Sequence, residues 1–192
     1  MSLDVRPVTP DRWDDLVALF GVDRGAYSGC WCMWWRQTAK GYDRDHGAPN
    51  REAMRAIVRE GREPGLLAYR RGEPVGWVSL GPRDDFGRLD RSRVLGRVDE
   101  EEGVWSIVCF YIHRRHRRDG VAKALLAAAV ARAAERGARW VEAYPVDLGA
   151  AAAKKASAEL FTGTLVMFEE AGFREVARRG AARPIVRAPV AR

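Results

Sequence analysis

The stretch Val104-Trp105-Ser106-Ile107-Val108-Cys109-Phe110-Tyr111-Ile112-His113-Arg114-Arg115-His116-Arg117-Arg118-Asp119-Gly120-Val121-Ala122 decides how the rest of this sequence is read. Its first nine residues are mostly β-branched or aromatic, which is the composition of a buried strand. A basic turn follows, and then an apolar stripe of Val121, Leu125, Leu126, Ala129, Val130 and Ala133 at helical spacing, with Gly137 where a C-terminal glycine belongs. Trp140 to Tyr144 reads as the next strand. A helix that opens on a turn presents unpaired backbone N–H groups and a partial positive charge. Gly120 and Ala122 let an anion approach that end without side-chain collision, so the stretch is suited to phosphate. Arginines in the turn can add charge-assisted hydrogen bonds.

Upstream, Gly65–Tyr69 and Pro74–Leu80 form a predicted hairpin around Arg71-Gly72, where glycine supplies a positive backbone dihedral. Leu3–Val8 suggests a first strand. Thr9-Pro10 then opens a helix running to Phe20, with Trp13, Leu16, Val17 and Phe20 on one stripe. Gly21–Pro49 is irregular and aromatic, and Asn50 is expected to cap a second helix through Ile57. Arg83–Asp99 is polar and arginine-rich. Downstream, Ala150–Ala158, with Lys154-Lys155, reads as a solvated connection. Thr162–Ala171 reads as a short helix ending at Gly172, and Phe173–Ala177 with Pro184–Arg187 as a last hairpin. The order has no internal repeat and implies a mixed sheet with helices on its faces.

Arg117-x-x-Gly120-x-Ala122 resembles the acetyl-CoA signature of the GNAT acetyltransferases: Gln or Arg, two residues, Gly, one residue, then Gly or Ala. The flanking strand and helix, and the late Phe168-Glu169-Glu170-Ala171-Gly172-Phe173, are also similar to that superfamily. The resemblance extends over nearly the whole chain. It implies an α/β (α+β) GNAT fold, with a central mixed, mostly antiparallel sheet flanked by helices. It further implies that acetyl-CoA is the cosubstrate and that an amine is the acceptor, with direct attack in a ternary complex and no metal. By the same resemblance, the backbone of Arg118, Asp119, Gly120, Val121 and Ala122 would hold the CoA pyrophosphate, with Arg117 and Lys123 beside it. Phe110 and Ile112 would offer backbone groups to the pantetheine arm, which adds like an extra strand. Other readings of the same features are a silent acyl-CoA-binding module, transfer to a hydroxyl or from a longer acyl-CoA, and a basic nucleic-acid-binding protein. For the last of these, the basic run lacks interleaved stacking aromatics.

At 192 residues the chain fits a single domain, 1–192, with 47% hydrophobic and 31% charged residues. No stretch approaches the roughly 20 apolar residues of a membrane span. The first residues lack the pattern of a secretory signal, so a cytoplasmic location is expected. Cys30, Cys32 and Cys109 are expected to be free thiols. With only His46, His113 and His116 elsewhere, they do not have the spacing of a zinc site. A net charge of +7 favours anionic partners without choosing among them. Whether the chain works as a homodimer is left open.

Acetyl transfer needs a neutral amine, a proton for the CoA sulfur and stabilisation of the oxyanion. Many superfamily members carry a Tyr four residues before the late Gly-Phe glycine as general acid, and here that position is Phe168. Tyr144 is therefore the expected acid, with Tyr111 as a substitute. Glu142, which alternates onto the face of Tyr144, is the expected base. Cys30-Trp31-Cys32-Met33-Trp34-Trp35 holds three tryptophans in five positions, more than one core face absorbs, so Trp31, Trp34 and Trp35 are expected on an acceptor wall.

Overall fold

A computed structural model describes residues 3–22, 24–150 and 160–190. Its strands are β1 (Asp4–Pro7), β2 (Gly65–Arg70), β3 (Glu73–Pro82), β4 (Val104–Ile112), β5 (Trp140–Ala143), β6 (Arg174–Ala177) and β7 (Ile185–Pro189). Its helices are α1 (Trp13–Phe20), α2 (Ala39–Arg44), α3 (Ala48–Arg59), α4 (Gly87–Asp90), α5 (Val121–Glu135) and α6 (Leu165–Glu170). The strands make one sheet in the order β1-β2-β3-β4-β5-β7-β6, in which every neighbouring pair is antiparallel except β4–β5. This is the mixed, mostly antiparallel GNAT sheet expected. The single parallel contact follows from the β4-α5-β5 crossover.

Two cores cover the two faces. On one, Leu16 and Phe20 of α1 and Met54 and Val58 of α3 pack with Trp77, Val108 and Tyr144. On the other, Val121, Leu125, Leu126, Ala129 and Ala133 of α5, with Phe168 of α6, pack on Val78, Ile107 and Phe110. The β2–β3 turn has positive φ at both Arg71 and Gly72, which matches the right-handed twist of a hairpin.

Several expectations change. Asn50 is not a cap but a buried residue inside α3, which begins at Ala48 after Gly47 with Pro49 in its first turn; Asn50 Nδ2 donates instead to the Gly29 carbonyl at 3.4 Å. The irregular Gly21–Pro49 segment holds α2, capped by Thr38, whose hydroxyl accepts from the Gly41 amide at 3.0 Å. Arg83–Asp99 is not merely a polar surface: Arg83, Phe86, Leu89 and Leu95 are buried. The last two strands do pair, but β7 inserts between β5 and β6. Of the alanine-rich connection only Ala150 is described, so the reading of 151–158 lies outside the described residues.

The β4–β5 pairing is short and ends early. It covers only Val104↔Trp140 to Ile107↔Ala143. In β4 the partners of Ser79 and Leu80 are Cys109 and Ile107, which leaves Val108 as a bulge. A bulge bends its strand, and from here β4 continues to Ile112 while β5 has ended. At the last paired positions Glu142, fully buried, is held by three groups. Arg83 Nε donates to Oε1 at 3.3 Å, Arg187 Nη2 to Oε2 at 2.6 Å and the Tyr144 hydroxyl to Oε1 at 2.6 Å. Arg187 also pairs with Asp99 at 2.9 Å, and Arg83 with Asp90. Removing one partner of a buried ion pair strands the other charges, so Glu142→Ala is expected to cost about 3–5 kcal/mol of unfolding free energy. Urea denaturation checks this, and a loss under about 1 kcal/mol would mean that the carboxylate does not secure the sheet at this point.

Candidate functional site

The turn expected to hold phosphate has the backbone geometry that its sequence requires. Gly120 precedes α5 in the left-handed conformation (φ 75°, ψ 0°), and the first helical bond is Ala124 N–H to the Gly120 carbonyl at 3.0 Å. The amides of Val121, Ala122 and Lys123 therefore lack intrahelical acceptors and face outward at the positive end of a 15-residue helix. A Cβ placed on Gly120 meets no atom within 4 Å, so the space over the loop is open. Arg118 also has positive φ, 66°. These residues fit a pyrophosphate.

The flanking side chains have protein partners. Asp119 accepts from Arg70 of β2 at 2.7 Å, which ties the loop to the hairpin. Lys123 pairs with Glu170 of α6 at 2.6 Å, and Arg117 Nε donates to the Ile112 carbonyl at 3.4 Å. Arg70 was missed from sequence, since nothing in its strand marks it as a partner of a loop 49 residues later. His113 and His116 face each other in the turn with ring centroids 5.9 Å apart. Burial, then the His116 and arginine charges, holds His113 below its usual value.

Beyond Ile107 the far edge of β4 is no longer covered by β5. Phe110 presents its amide there, and that amide donates to the Phe161 carbonyl at 2.5 Å. The turn at 160–163 thus lies along the edge expected to take the pantetheine arm, and a ligand adding to Phe110 must displace it. Sequence reading had no signal for this contact.

Beside Cys109 of β4 and bordered by Phe161 is a cleft of about 960 Å³, within the range of small-molecule sites. Cys109 and Cys32 lie at its floor, with their sulfurs 3.6 Å apart. Trp34, Trp35, Tyr27 and Tyr42 contribute aromatic wall, and Phe161 closes a further side. Of the three tryptophans predicted here, Trp34 is 38% exposed and Trp35 nearly buried, and both line the cleft. Trp31 is not on this wall. It is packed in the core against Trp13 (6.0 Å between centroids) and Phe20 (5.6 Å), because its positive φ turns it inward under α1.

Glu142 and Tyr144 share a face, as the alternation implied, but neither is exposed. Tyr144 stacks behind Trp35 (6.5 Å, 30°) and shares a 3.0 Å hydrogen bond with Ser106. Burial, then the adjacent Glu142 charge, pushes its phenol well above the ordinary value. Both oxygens of Glu142, the expected base, accept hydrogen bonds, from two arginines and this phenol. Their arrangement secures the sheet, and neither group is among the residues that line the cleft.

Tyr27 has a different setting. It lines the cleft, its ring meets Tyr111 of β4 edge-on at 5.4 Å, and Arg117 of the phosphate loop acts on it electrostatically. Burial raises its phenol and Arg117 partly reverses this, so it stays protonated at neutral pH. Phe168, at the position of the usual acid, is fully buried against Phe110 and Phe173.

Residues 29–155 match the family described as Acetyltransferase (GNAT) family. No curated protein sequence matches the chain. Similar solved structures include an acetyltransferase of the GNAT family from Streptococcus pneumoniae, at 16% identity and TM-score 0.58, covering 99% of this chain and 100% of that one. Another is the PaiA N-acetyltransferase from Thermoplasma acidophilum in complex with coenzyme A, at 12% identity and TM-score 0.55, covering 98% and 99%. A third is a GNAT-family acetyltransferase from Desulfovibrio desulfuricans, at 18% identity and TM-score 0.55, covering 99% and 100%. At these identities the structural likeness speaks for the fold alone. Among the described residues no cluster of metal-ligating side chains occurs, and no helix is long and apolar enough to cross a membrane.

The loop geometry makes a prediction. Gly120→Ala adds a methyl group where phosphate would sit and forces a left-handed alanine, so it should cost about 1–2 kcal/mol of stability. It should also weaken CoA binding about tenfold or more, through the loss of charge-assisted backbone bonds. Calorimetric titration of the folded variant checks this, and undiminished CoA affinity would remove the loop from cofactor binding.

Proposed function

Because this chain belongs to the GNAT acetyltransferase family, we propose that it transfers an acetyl group from acetyl-CoA to an amine. The observation that carries this reading is one strand serving two sites. β4 leads into the α5 phosphate loop and leaves its far edge uncovered by β5, while Cys109 of the same strand forms the floor of an aromatic cleft.

In this reading the backbone of Arg118 to Ala122 holds the pyrophosphate, and the charge at the start of α5 assists it. Arg117 and Lys123 add positive charge at the loop. The amides of Phe110 and Ile112 align the pantetheine arm, and the turn at 160–163 yields to it. Trp34 and Trp35 hold the acceptor, so that its neutral nitrogen faces the thioester in a ternary complex; CoA supplies the activated acyl group. As the nitrogen attacks the carbonyl carbon, the C–N bond forms and the C–S bond breaks. One amine proton must leave and one proton must reach sulfur. Tyr27, placed between the cleft and the loop, gives its proton to sulfur and recovers the amine proton, directly or through water, so it is neutral before and after. It takes the role that Phe168 is unable to fill. Glu142 and Tyr144 act as positioning residues beneath Trp35.

Incubation of the protein with acetyl-CoA and pools of amines, amino acids and peptides, with mass detection of product, tests the reaction. CoA binding without any acetylated product would leave a binding module instead. With an active acceptor in hand, Tyr27→Phe should lower kcat about 100-fold with little change in acetyl-CoA affinity. Tyr144→Phe should instead show as about 1–3 kcal/mol of lost stability. Unchanged kcat in Tyr27→Phe would exclude the phenol from proton transfer.

A further inference from the structure

The aromatic cleft has an asymmetric charge. Three arginines line it, Arg88, Arg91 and Arg183, and no aspartate or glutamate does among the described residues. A cavity built to take a plain cationic amine would place a carboxylate in its wall, because a buried charge needs a partner.

Arg88 is the most informative of the three. Its guanidinium lies 3.7 Å from the Trp34 ring centroid, and its backbone amide donates to the Trp35 carbonyl at 3.1 Å. This contact over the ring face does not use its N–H groups in hydrogen bonds. Its Nε and Nη2 are buried and have no hydrogen-bond partner. Burial disfavours its charge; the Asp43 carboxylate, which is not on the cleft wall, supports it, and Arg91 opposes it by a smaller amount. The Trp35 indole N–H is likewise buried without an acceptor. The wall therefore holds fixed donors beside aromatic surface, and an acid is the group that would satisfy them. A stacked guanidinium is well suited to a carboxylate, which it can bind through two parallel bonds.

We infer that the acceptor is an amino acid in the broad sense: an amine whose aromatic or apolar body fills the tryptophan cleft and whose carboxylate binds Arg88 and Arg91. This rests on the acyltransfer reading for the amine, but the carboxylate subsite is argued from the cleft alone. The carboxylate has two sources, a free small molecule or the C-terminus of a short peptide.

The subsite can be tested without turnover, because Trp34 lies beneath Arg88 and its fluorescence reports occupancy. The CoA-loaded protein is titrated with 3-phenylpropionate and with 3-phenylpropanamide, which share a body and differ in charge. The acid should bind about tenfold or more tightly than the amide, the difference expected for a hydrogen-bonded charge. Arg88→Gln and Arg91→Gln should each reduce that preference while leaving amide binding and CoA affinity unchanged. Arg88→Lys should restore part of it. Phenylalanine and a dipeptide ending in phenylalanine, run in parallel, separate the two sources. Equal affinity for acid and amide, or binding of neither at millimolar concentration, overturns the proposal. Arginine-dependent acid binding with no acetylated product would sustain the carboxylate subsite and defeat the transfer reading. Equal acetylation of an amino acid and its carboxamide would do the reverse.

Discussion

The parting of β4 from β5 after Ile107 and Ala143 is the constraint on which the rest of this molecule depends. A strand of nine residues runs beside one of four, and the Val108 bulge turns the longer away where the shorter stops. A strand edge left unpaired inside a protein must find other partners for its amides. Here the Phe161 carbonyl meets that demand for Phe110. The same divergence brings Cys109 to the floor of the cleft and leads the chain through His113 into the phosphate loop. Glu142 sits one residue before the end of the β4–β5 pairing and draws Arg83 from after β3 and Arg187 from β7 onto a single carboxylate. Strands β5 and β7 and the segment after β3 are thereby tied together where the sheet opens.

The turn at 160–163 belongs to both sides of this opening. The Phe161 carbonyl takes the Phe110 amide on the uncovered edge of β4, while its ring stands 6.3 Å from Trp35 and beneath Arg183 at 5.6 Å on the cleft side. Gly163, with φ of 81°, lets the chain turn back so that the Val146 amide reaches the Gly163 carbonyl at 2.9 Å. A ligand that displaces the Phe161 carbonyl must also move a wall of the cleft. The uncovered edge of β4 and the shape of the cleft are therefore joined by one short segment.

Much of the frame was legible in the sequence because it follows from local periodicity. The β4 run, the α5 stripe, the Arg71-Gly72 turn and the shared face of Glu142 and Tyr144 all depend on residues close together in the chain. What was not legible depends on contacts across distant segments. A carboxylate in a strand usually faces solvent, and only the register Glu142↔Arg187 reveals the partner with which this one is buried. A signal was present: each charge stands in the middle of an apolar strand, Val141-Glu142-Ala143 and Val186-Arg187-Ala188. Trp31 was grouped with Trp34 and Trp35 by proximity, but residues 31 and 32 take positive φ, and no helical or strand alternation applies to them. Tyr27 carried no pattern at all, since its place between loop and cleft is set by turns around Gly25 and Gly29.

The central claim is that the uncovered edge of β4 and the start of α5 together receive the CoA thioester, at the expense of the Phe161 contact. Residue-resolved amide hydrogen exchange, by NMR, with and without acetyl-CoA, tests it most directly. The account predicts that the amides of Phe110, Ile112 and Arg118 to Ala122 become protected while the segment 160–163 exchanges faster. The paired residues Val104 to Ile107 should be unaffected. Protection confined to the phosphate loop, with Phe110 and the 160–163 turn unchanged, would contradict it.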